Sequence, residues 1–171
     1  MGKEIFVGDC KIVAENRKIT GGFLDIDGEI NYKIANYNHM DPFFMSIVSN
    51  SDHWMFISSN GGLTAGRKNP DNALFPYYTV DKLQDLAENT GSKTILHVTI
   101  GSITHLWEPF SDRFSGIYKI QRNIYKNVYG NKLLFEEINE DLGIVFSYQW
   151  MNSEKYGFVR KSVLKNNRET S

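Results

Sequence analysis

Apolar and aromatic residues recur at every second position over residues 142–151, and this pattern constrains the fold more than any other. The large residues of one parity are Leu142, Ile144, Phe146, Tyr148 and Trp150. Successive side chains of a β-strand point to opposite faces, so these residues line one face of a long strand. Residues 132–138 precede it across the turn-forming residues 139–141, with Gly143 just after. The two segments therefore predict a β-hairpin that lies across an extensive core.

Short alternating segments of the same kind recur along the whole chain. Strands are predicted near residues 5–7, 10–14, 22–26, 29–35, 43–48, 54–58, 94–100, 103–107, 116–122, 124–129, 132–138, 142–151 and 156–164. One helix is predicted near residues 79–88, where Thr79 can cap the first turn and Leu83 and Leu86 share a face. This pattern predicts an all-β fold, a two-sheet antiparallel sandwich with one short helix. No linker or repeat interrupts it, so residues 1–171 are expected to form a single domain.

The charge balance and the single cysteine exclude several classes of function. The chain has 19 basic and 20 acidic residues, so no basic field is available to attract nucleic acid. Cys10 stands alone, which excludes an intramolecular disulfide, and its place in an alternating run predicts a small buried side chain. No apolar stretch suits a signal peptide or approaches the roughly 20 residues of a membrane helix. We therefore expect a cytoplasmic protein, with a secreted protein as the alternative, that has no membrane partner and no cofactor.

Residues 51–78 contain the main candidate for a binding site. An apolar run over residues 54–57 is followed by a polar stretch, predicted to be a loop over residues 60–72, and then by aromatic residues. Asparagine, aspartate and arginine side chains there offer planar donors and acceptors that suit vicinal hydroxyls. The candidate binding residues are Asn60, Gly61, Gly62, Arg67, Asn69, Asp71 and Tyr77, with Trp107 as a further aromatic expected at the surface. The alternative is a structural loop whose side chains satisfy backbone groups.

No complete catalytic or metal-binding motif is present, so no catalytic residue and no metal ligand are predicted. His97 and His105 lie in adjacent predicted strands and could meet across a sheet, but no third ligand is identified. Glu136 and Glu137 are neighbours and point to opposite faces, so together they cannot form the carboxylate pair of a glycosidase. These carboxylates are expected to be solvated charges at the turn and edge of the hairpin.

Two segments resemble a known family. Residues 58–85, SSNGGLTAGRKNPDNALFPYYTVDKLQD, and residues 133–150, LLFEEINEDLGIVFSYQW, are similar to the N-terminal β-sandwich of cellobiose phosphorylase-like carbohydrate-active proteins. The resemblance implies a galactose mutarotase-like super-sandwich that precedes a C-terminal helical barrel. In that family the general acid is an aspartate of the barrel, so the resemblance carries no catalytic residue to this chain.

The resemblance implies an accessory N-terminal domain of a larger carbohydrate-processing protein, of the glycoside phosphorylase or hydrolase type, that shapes one side of a glycan site. The expected partners are a carbohydrate and a C-terminal helical-barrel domain. Three alternatives stay open: a free-standing carbohydrate-binding module, a structural domain that dimerises through its sheet, and a mutarotase-like epimerase or hydrolase. The last requires His97 or His105 to converge with a carboxylate in one cleft.

Overall fold

The computed structural model describes residues 4–13, 17–75, 77 and 79–168 of the chain. The strands are β1 (Ile5–Val7), β2 (Cys10–Ile12), β3 (Thr20–Ile26), β4 (Glu29–Ala35), β5 (Phe44–Ile47), β6 (His53–Ser58), β7 (Leu63–Arg67), β8 (Ala73–Phe75), β9 (Leu96–Ile100), β10 (Ile103–Trp107), β11 (Ile120–Asn127), β12 (Lys132–Asn139), β13 (Ile144–Ser153) and β14 (Gly157–Asn166). The helical elements are α1 (Val80–Gln84) and two short 3-10 turns, Tyr37–His39 and Pro70–Asn72.

Two antiparallel sheets pack on one another and form the core. The larger sheet has six strands in the order β14-β13-β12-β11-β4-β3, and the smaller has four in the order β5-β6-β7-β8. One cluster of buried side chains joins them, with Met55 and Ile57 from the smaller sheet and Phe135 and Trp150 from the larger. Two separate hairpins, β1-β2 and β9-β10, complete the fold. The prediction of an all-β antiparallel sandwich with one short helix is confirmed.

The predicted hairpin is β12-β13, and its register explains the alternation in the sequence. Phe135 pairs with Tyr148, and Leu133 with Trp150, so the large residues of both arms lie on one face. That face is buried from Leu142 to Trp150, as predicted. At the turn the Asn139 side chain accepts a hydrogen bond from the Leu142 amide at 2.9 Å, and Gly143 has a φ of 64°. A left-handed backbone there favours glycine.

Some local predictions are wrong. Residues 60–72 are not one loop, because β7 occupies Leu63–Arg67 and β8 follows. Strand β7 consists mostly of small residues, and a Cβ at Gly66 would lie 2.4 Å from the Trp54 ring. The close approach of Trp54 therefore requires glycine, and the strand lacks the alternation by which strands are detected.

Other boundaries also differ from the sequence prediction. A single strand, β11, replaces the two predicted over residues 116–129, and residues 116–119 lie outside it. Cys10 is exposed rather than buried, because the β1-β2 hairpin is a separate two-stranded sheet with little covering it. The predicted end of that strand at Ala14 lies outside the described residues. Within the described part of the chain, no helix has the length and apolar character needed to cross a membrane.

Candidate functional site

The candidate binding residues lie at two ends of strand β7 and do not form one site. Gly61 and Gly62 belong to the turn before β7, while Arg67 ends the strand and Asn69 and Asp71 follow it. A five-residue strand spans roughly 13 Å. The structure therefore does not bring these residues together at one point.

The turn at residues 60–62 holds the helical segment against the sandwich. Asn60 donates from Nδ2 to the Gln84 carbonyl at 2.7 Å, and its Oδ1 accepts from the Gly62 amide at 3.2 Å. A Cβ at Gly62 would lie only 2.1 Å from the Leu83 carbonyl oxygen, so α1 packs directly on this glycine. The polar atoms of Asn60 are thus used mainly within the fold, as the structural alternative requires.

Beyond β7, the polar residues form a small exposed turn. The Asn72 side chain donates to Asn69 Oδ1 at 2.8 Å, and Asp71 lies in the 3-10 turn between them. Arg67 is exposed, and its guanidinium makes no hydrogen bond or ion pair with any other residue in the described ranges.

The two aromatic candidates have different surroundings. Tyr77 is 51% exposed and contacts Trp54 edge to face, with ring centroids 5.8 Å apart, on the outer side of the smaller sheet. Trp107, expected at the surface, is only 2% exposed, and this prediction is wrong. Its indole Nε1 donates to Glu137 Oε1 at 2.9 Å, so a buried acceptor satisfies the one polar atom of the ring.

Glu137 is the centre of a buried polar network that the sequence analysis missed. Glu137 is only 1% exposed, so the prediction that its carboxylate is solvated is wrong. Oε2 accepts from Arg122 Nε at 2.7 Å and from the Phe110 amide at 2.7 Å. The sequence does indicate that Glu137 is buried, because it has the same parity in β12 as the core residues Leu133 and Phe135. An acidic residue on an apolar face requires a buried partner.

Arg122 connects the buried Glu137 network to the protein surface. It donates from Nη1 to Asp112 Oδ1 at 2.6 Å and from Nη2 to the Ser111 carbonyl at 2.7 Å. Burial is the largest single effect and would lower the pKa of Arg122, but the charges of Glu137 and Asp112 together with the nearby Tyr37 outweigh burial, and the pKa is raised. The guanidinium therefore stays charged and pairs with the exposed Asp112 carboxylate.

A cleft opens beside Arg122, between the two sheets. This interlayer cleft has a volume of about 150 Å³, and its lining includes Tyr37, Asn60, Phe110, Asp112, Arg122 and Tyr148. The side chains of Tyr37 and Tyr148 are otherwise buried, and within the described residues neither hydroxyl has a hydrogen-bond partner. Burial raises the pKa of both tyrosines, so both hydroxyls keep their protons at neutral pH and can donate.

The charges around the interlayer cleft balance. Its charged lining residues are Glu88, Asp112 and Arg122, and their direct ion-pair partners are Lys93, Arg113 and Glu137. Arg113 donates to Glu88 at 2.9 Å, and the Arg160 guanidinium lies over the Tyr148 ring, 4.5 Å from its centroid. The ion-paired residues at the cleft, three basic and three acidic, have a formal charge sum of zero, which suits a neutral polar ligand better than an ion.

The histidines do not provide the chemistry of an enzyme at this cleft. His97 pairs with Leu106 and His105 with Val98 in the β9-β10 hairpin, so the two imidazoles lie on opposite faces. The expectation that they could meet is wrong. No group of three or more potential metal ligands occurs within the described residues.

Glu136 bonds Asn123 and Tyr125 on the outer face of the sheet, which confirms that Glu136 and Glu137 point apart.

Comparisons of this sequence with known proteins gave no matching family model and no matching curated protein. The resemblance to the phosphorylase family therefore depends on residues 58–85 and 133–150 alone.

Proposed function

We propose that this chain is an accessory carbohydrate-binding domain that supplies one side of a glycan site in a larger carbohydrate-processing protein of the glycoside phosphorylase or hydrolase type. The site is the interlayer cleft, and the expected ligand group is a neutral sugar unit. A cytoplasmic location is part of the same proposal.

The observation that carries this proposal is the pair of protonated hydroxyls, those of Tyr37 and Tyr148, which open on the cleft without a partner in the described part of the chain. Hydroxyls both donate and accept, so they match the hydroxyls of a sugar. The Asp112 carboxylate, which accepts from Arg122 at 2.6 Å, adds a further acceptor. The neutral sum of charge favours a polyol over a phosphate or a cation.

The size of the cleft supports a shared site. Its volume of about 150 Å³ is below the range of roughly 300–1,000 Å³ that is usual for a complete small-molecule pocket. The cleft can therefore hold part of a ligand, and a second domain would complete the site. A C-terminal helical barrel, as the family resemblance implies, is the proposed partner.

Glu137, which bonds the cleft residue Arg122 and does not itself line the cleft, supports a binding role rather than catalysis. Glu137 accepts hydrogen bonds from Trp107, Arg122 and Phe110, which occupy both of its oxygens. A carboxylate engaged in this way does not serve as a general acid or base toward a sugar. We therefore propose that the chain alone turns over no glucoside.

Dimerisation through a sheet edge is the less favoured alternative. Strand β14 is an edge of the larger sheet, and it carries Arg160, Lys161 and Lys165 but no acidic residue. Two copies that paired antiparallel along β14 would bring like charges together, and lysine at a strand edge commonly prevents such pairing.

The test is a titration of the ¹⁵N-labelled chain with glucose and cellobiose, followed by NMR shifts of residues around the cleft. Tyr148→Phe removes one hydroxyl and keeps the ring, and Tyr129→Phe, at an exposed tyrosine outside the cleft, is the matched control. We expect weak saturable binding, near millimolar, that Tyr148→Phe weakens severalfold and the control leaves unchanged.

Three other outcomes decide between the alternatives. Micromolar binding by the isolated chain would favour a free-standing carbohydrate-binding module instead. Absence of any saturable shift with either sugar would overturn the proposal. Equal effects of Tyr148→Phe and Tyr129→Phe would also overturn it, because the hydroxyl in the cleft would then have no special part.

A further inference from the structure

A second and larger groove lies at the other end of strands β6 and β7. Its lining includes His53, Arg67, Asn72, Leu74, Lys155 and Tyr156, and its volume is about 560 Å³. This volume falls within the roughly 300–1,000 Å³ that is usual for small-molecule sites. The groove shares no lining residue with the interlayer cleft. We call it the His53 groove.

Neighbouring residues hold the His53 side chain in position within this groove. The residue is only 7% exposed, and its Nδ1 lies 2.6 Å from the Ser51 hydroxyl. The imidazole contacts Phe158 edge to face, with ring centroids 5.1 Å apart. A Cβ at Gly157 would lie 3.5 Å from Nε2, so this nitrogen faces the start of β14, where Gly157 also lines the groove. The ring is therefore fixed, with Nε2 left for a ligand.

Arg67 is the register partner of His53 in the β6-β7 pair, so both side chains leave the sheet on the same face. The Arg67 guanidinium has no hydrogen bond or ion pair to any residue in the described ranges. Lys155 adds a second positive charge, with Nζ 5.1 Å from the centroid of the Tyr156 ring, and Glu154 is the one acidic residue among the described residues of the lining. With His53 neutral, the formal charges of these lining residues therefore sum to +1.

We infer that the His53 groove binds an oxyanion, a phosphate or carboxylate group carried by a small molecule, with Arg67 as the charged fork and His53 Nε2 as a second hydrogen-bond partner. The guanidinium presents two parallel N–H donors that match the oxygens of either group. When the Ser51 hydroxyl donates to Nδ1, Nε2 carries the imidazole proton and donates as well. This inference is independent of the proposed sugar site, because the residues of the two sites differ.

The experiment titrates the full chain with inorganic phosphate, with glucuronate and with glucose, and follows NMR shifts of the His53 imidazole and the Arg67 amide. Arg67→Gln removes the charged fork. Lys68→Gln is the matched control, because Lys68 is the adjacent exposed cation and does not line the groove. We expect saturable shifts with phosphate or glucuronate and none with glucose. Arg67→Gln should weaken the affinity about 10- to 100-fold, and Lys68→Gln should leave it within about twofold.

The two anions separate the possible sources of the oxyanion, since a phosphate site prefers inorganic phosphate and a carboxylate site prefers glucuronate. Arg67→Lys keeps the charge and loses the fork, so it should recover only part of the affinity. Three results would overturn the inference: no saturable shift with either anion, equal losses with Arg67→Gln and Lys68→Gln, or glucose binding at the same residues. Tyr148→Phe should not alter anion binding, so failure of one site is distinguishable from failure of the other.

Discussion

Arg122 and Glu137 are direct register partners on strands β11 and β12, and they form a buried ion pair with Arg122 Nε 2.7 Å from Glu137 Oε2. The Trp107 indole and the Phe110 amide supply the remaining donors to the same carboxylate. The pair thus connects the core of the larger sheet to the segment after β10. Removal of one partner would leave the other charge buried and unpaired, which is costly in a protein interior.

Glu137→Gln is expected to destabilise the fold by about 3–5 kcal/mol, the usual cost of breaking a buried ion pair. The measurement is the free energy of unfolding in urea. Glu140→Gln is the control, because Glu140 makes a partly exposed ion pair with Arg17. The control should cost less than about 1 kcal/mol. Similar free energies for the two variants would contradict the view that Glu137 holds the sheet and the segment after β10 together.

Phe146 tests the buried face of β13. The side chain is buried and its ring lies 6.2 Å from that of Phe110 between centroids. Phe146→Ala should therefore cost about 3–5 kcal/mol in the free energy of unfolding, as for other large-to-small core changes. Val145→Ala changes the neighbouring residue on the other, half-buried face and should cost clearly less. An unchanged denaturation midpoint for Phe146→Ala would show that the register of β13 is wrong.

The cleft tyrosines predict a specific loss of stability at alkaline pH. Burial raises the pKa of Tyr37 and of Tyr148 above the ordinary value of 10.0. Because the pKa is higher in the folded state, the unfolded chain loses the tyrosine proton at a lower pH. The free energy of unfolding is therefore unaffected by this titration below pH 10 and falls as the pH rises above 10. Denaturation midpoints between about pH 8 and pH 11 should show this fall. Tyr148→Phe should make the fall shallower, and an identical pH dependence in wild type and Tyr148→Phe would contradict the prediction.

The sequence predicted those parts of the fold that depend on local alternation, such as the β12-β13 hairpin. It failed at β7, because Gly66 lies under the Trp54 ring and small residues replace the alternating pattern there. It also failed at Trp107, since the acceptor for its indole is Glu137, thirty residues later in the chain. Such long-range partners leave no periodic signal.

The interlayer cleft depends on the same kind of contact. Tyr37 lies in a 3-10 turn and Tyr148 on β13, and only the packing of the sheets places both tyrosines at one opening. The parity of Glu137 was a local sign of a buried polar network, because the residue falls among core positions of β12, and Arg122 likewise shares the parity of Ile124 in β11. A search for charged residues on apolar faces would have found this part of the site from the sequence.

Gly62→Ala provides the last test, of the contact between the β6-β7 turn and α1. The new methyl group would lie 2.1 Å from the Leu83 carbonyl oxygen, a backbone atom that cannot rotate away. We expect a loss of about 1–3 kcal/mol in the free energy of unfolding and faster amide exchange over residues 83–91. Gly22→Ala, on exposed β3 with nothing within 4 Å of the added Cβ, is the control and should change stability little. Wild-type stability and exchange in Gly62→Ala would show that α1 does not pack on this turn.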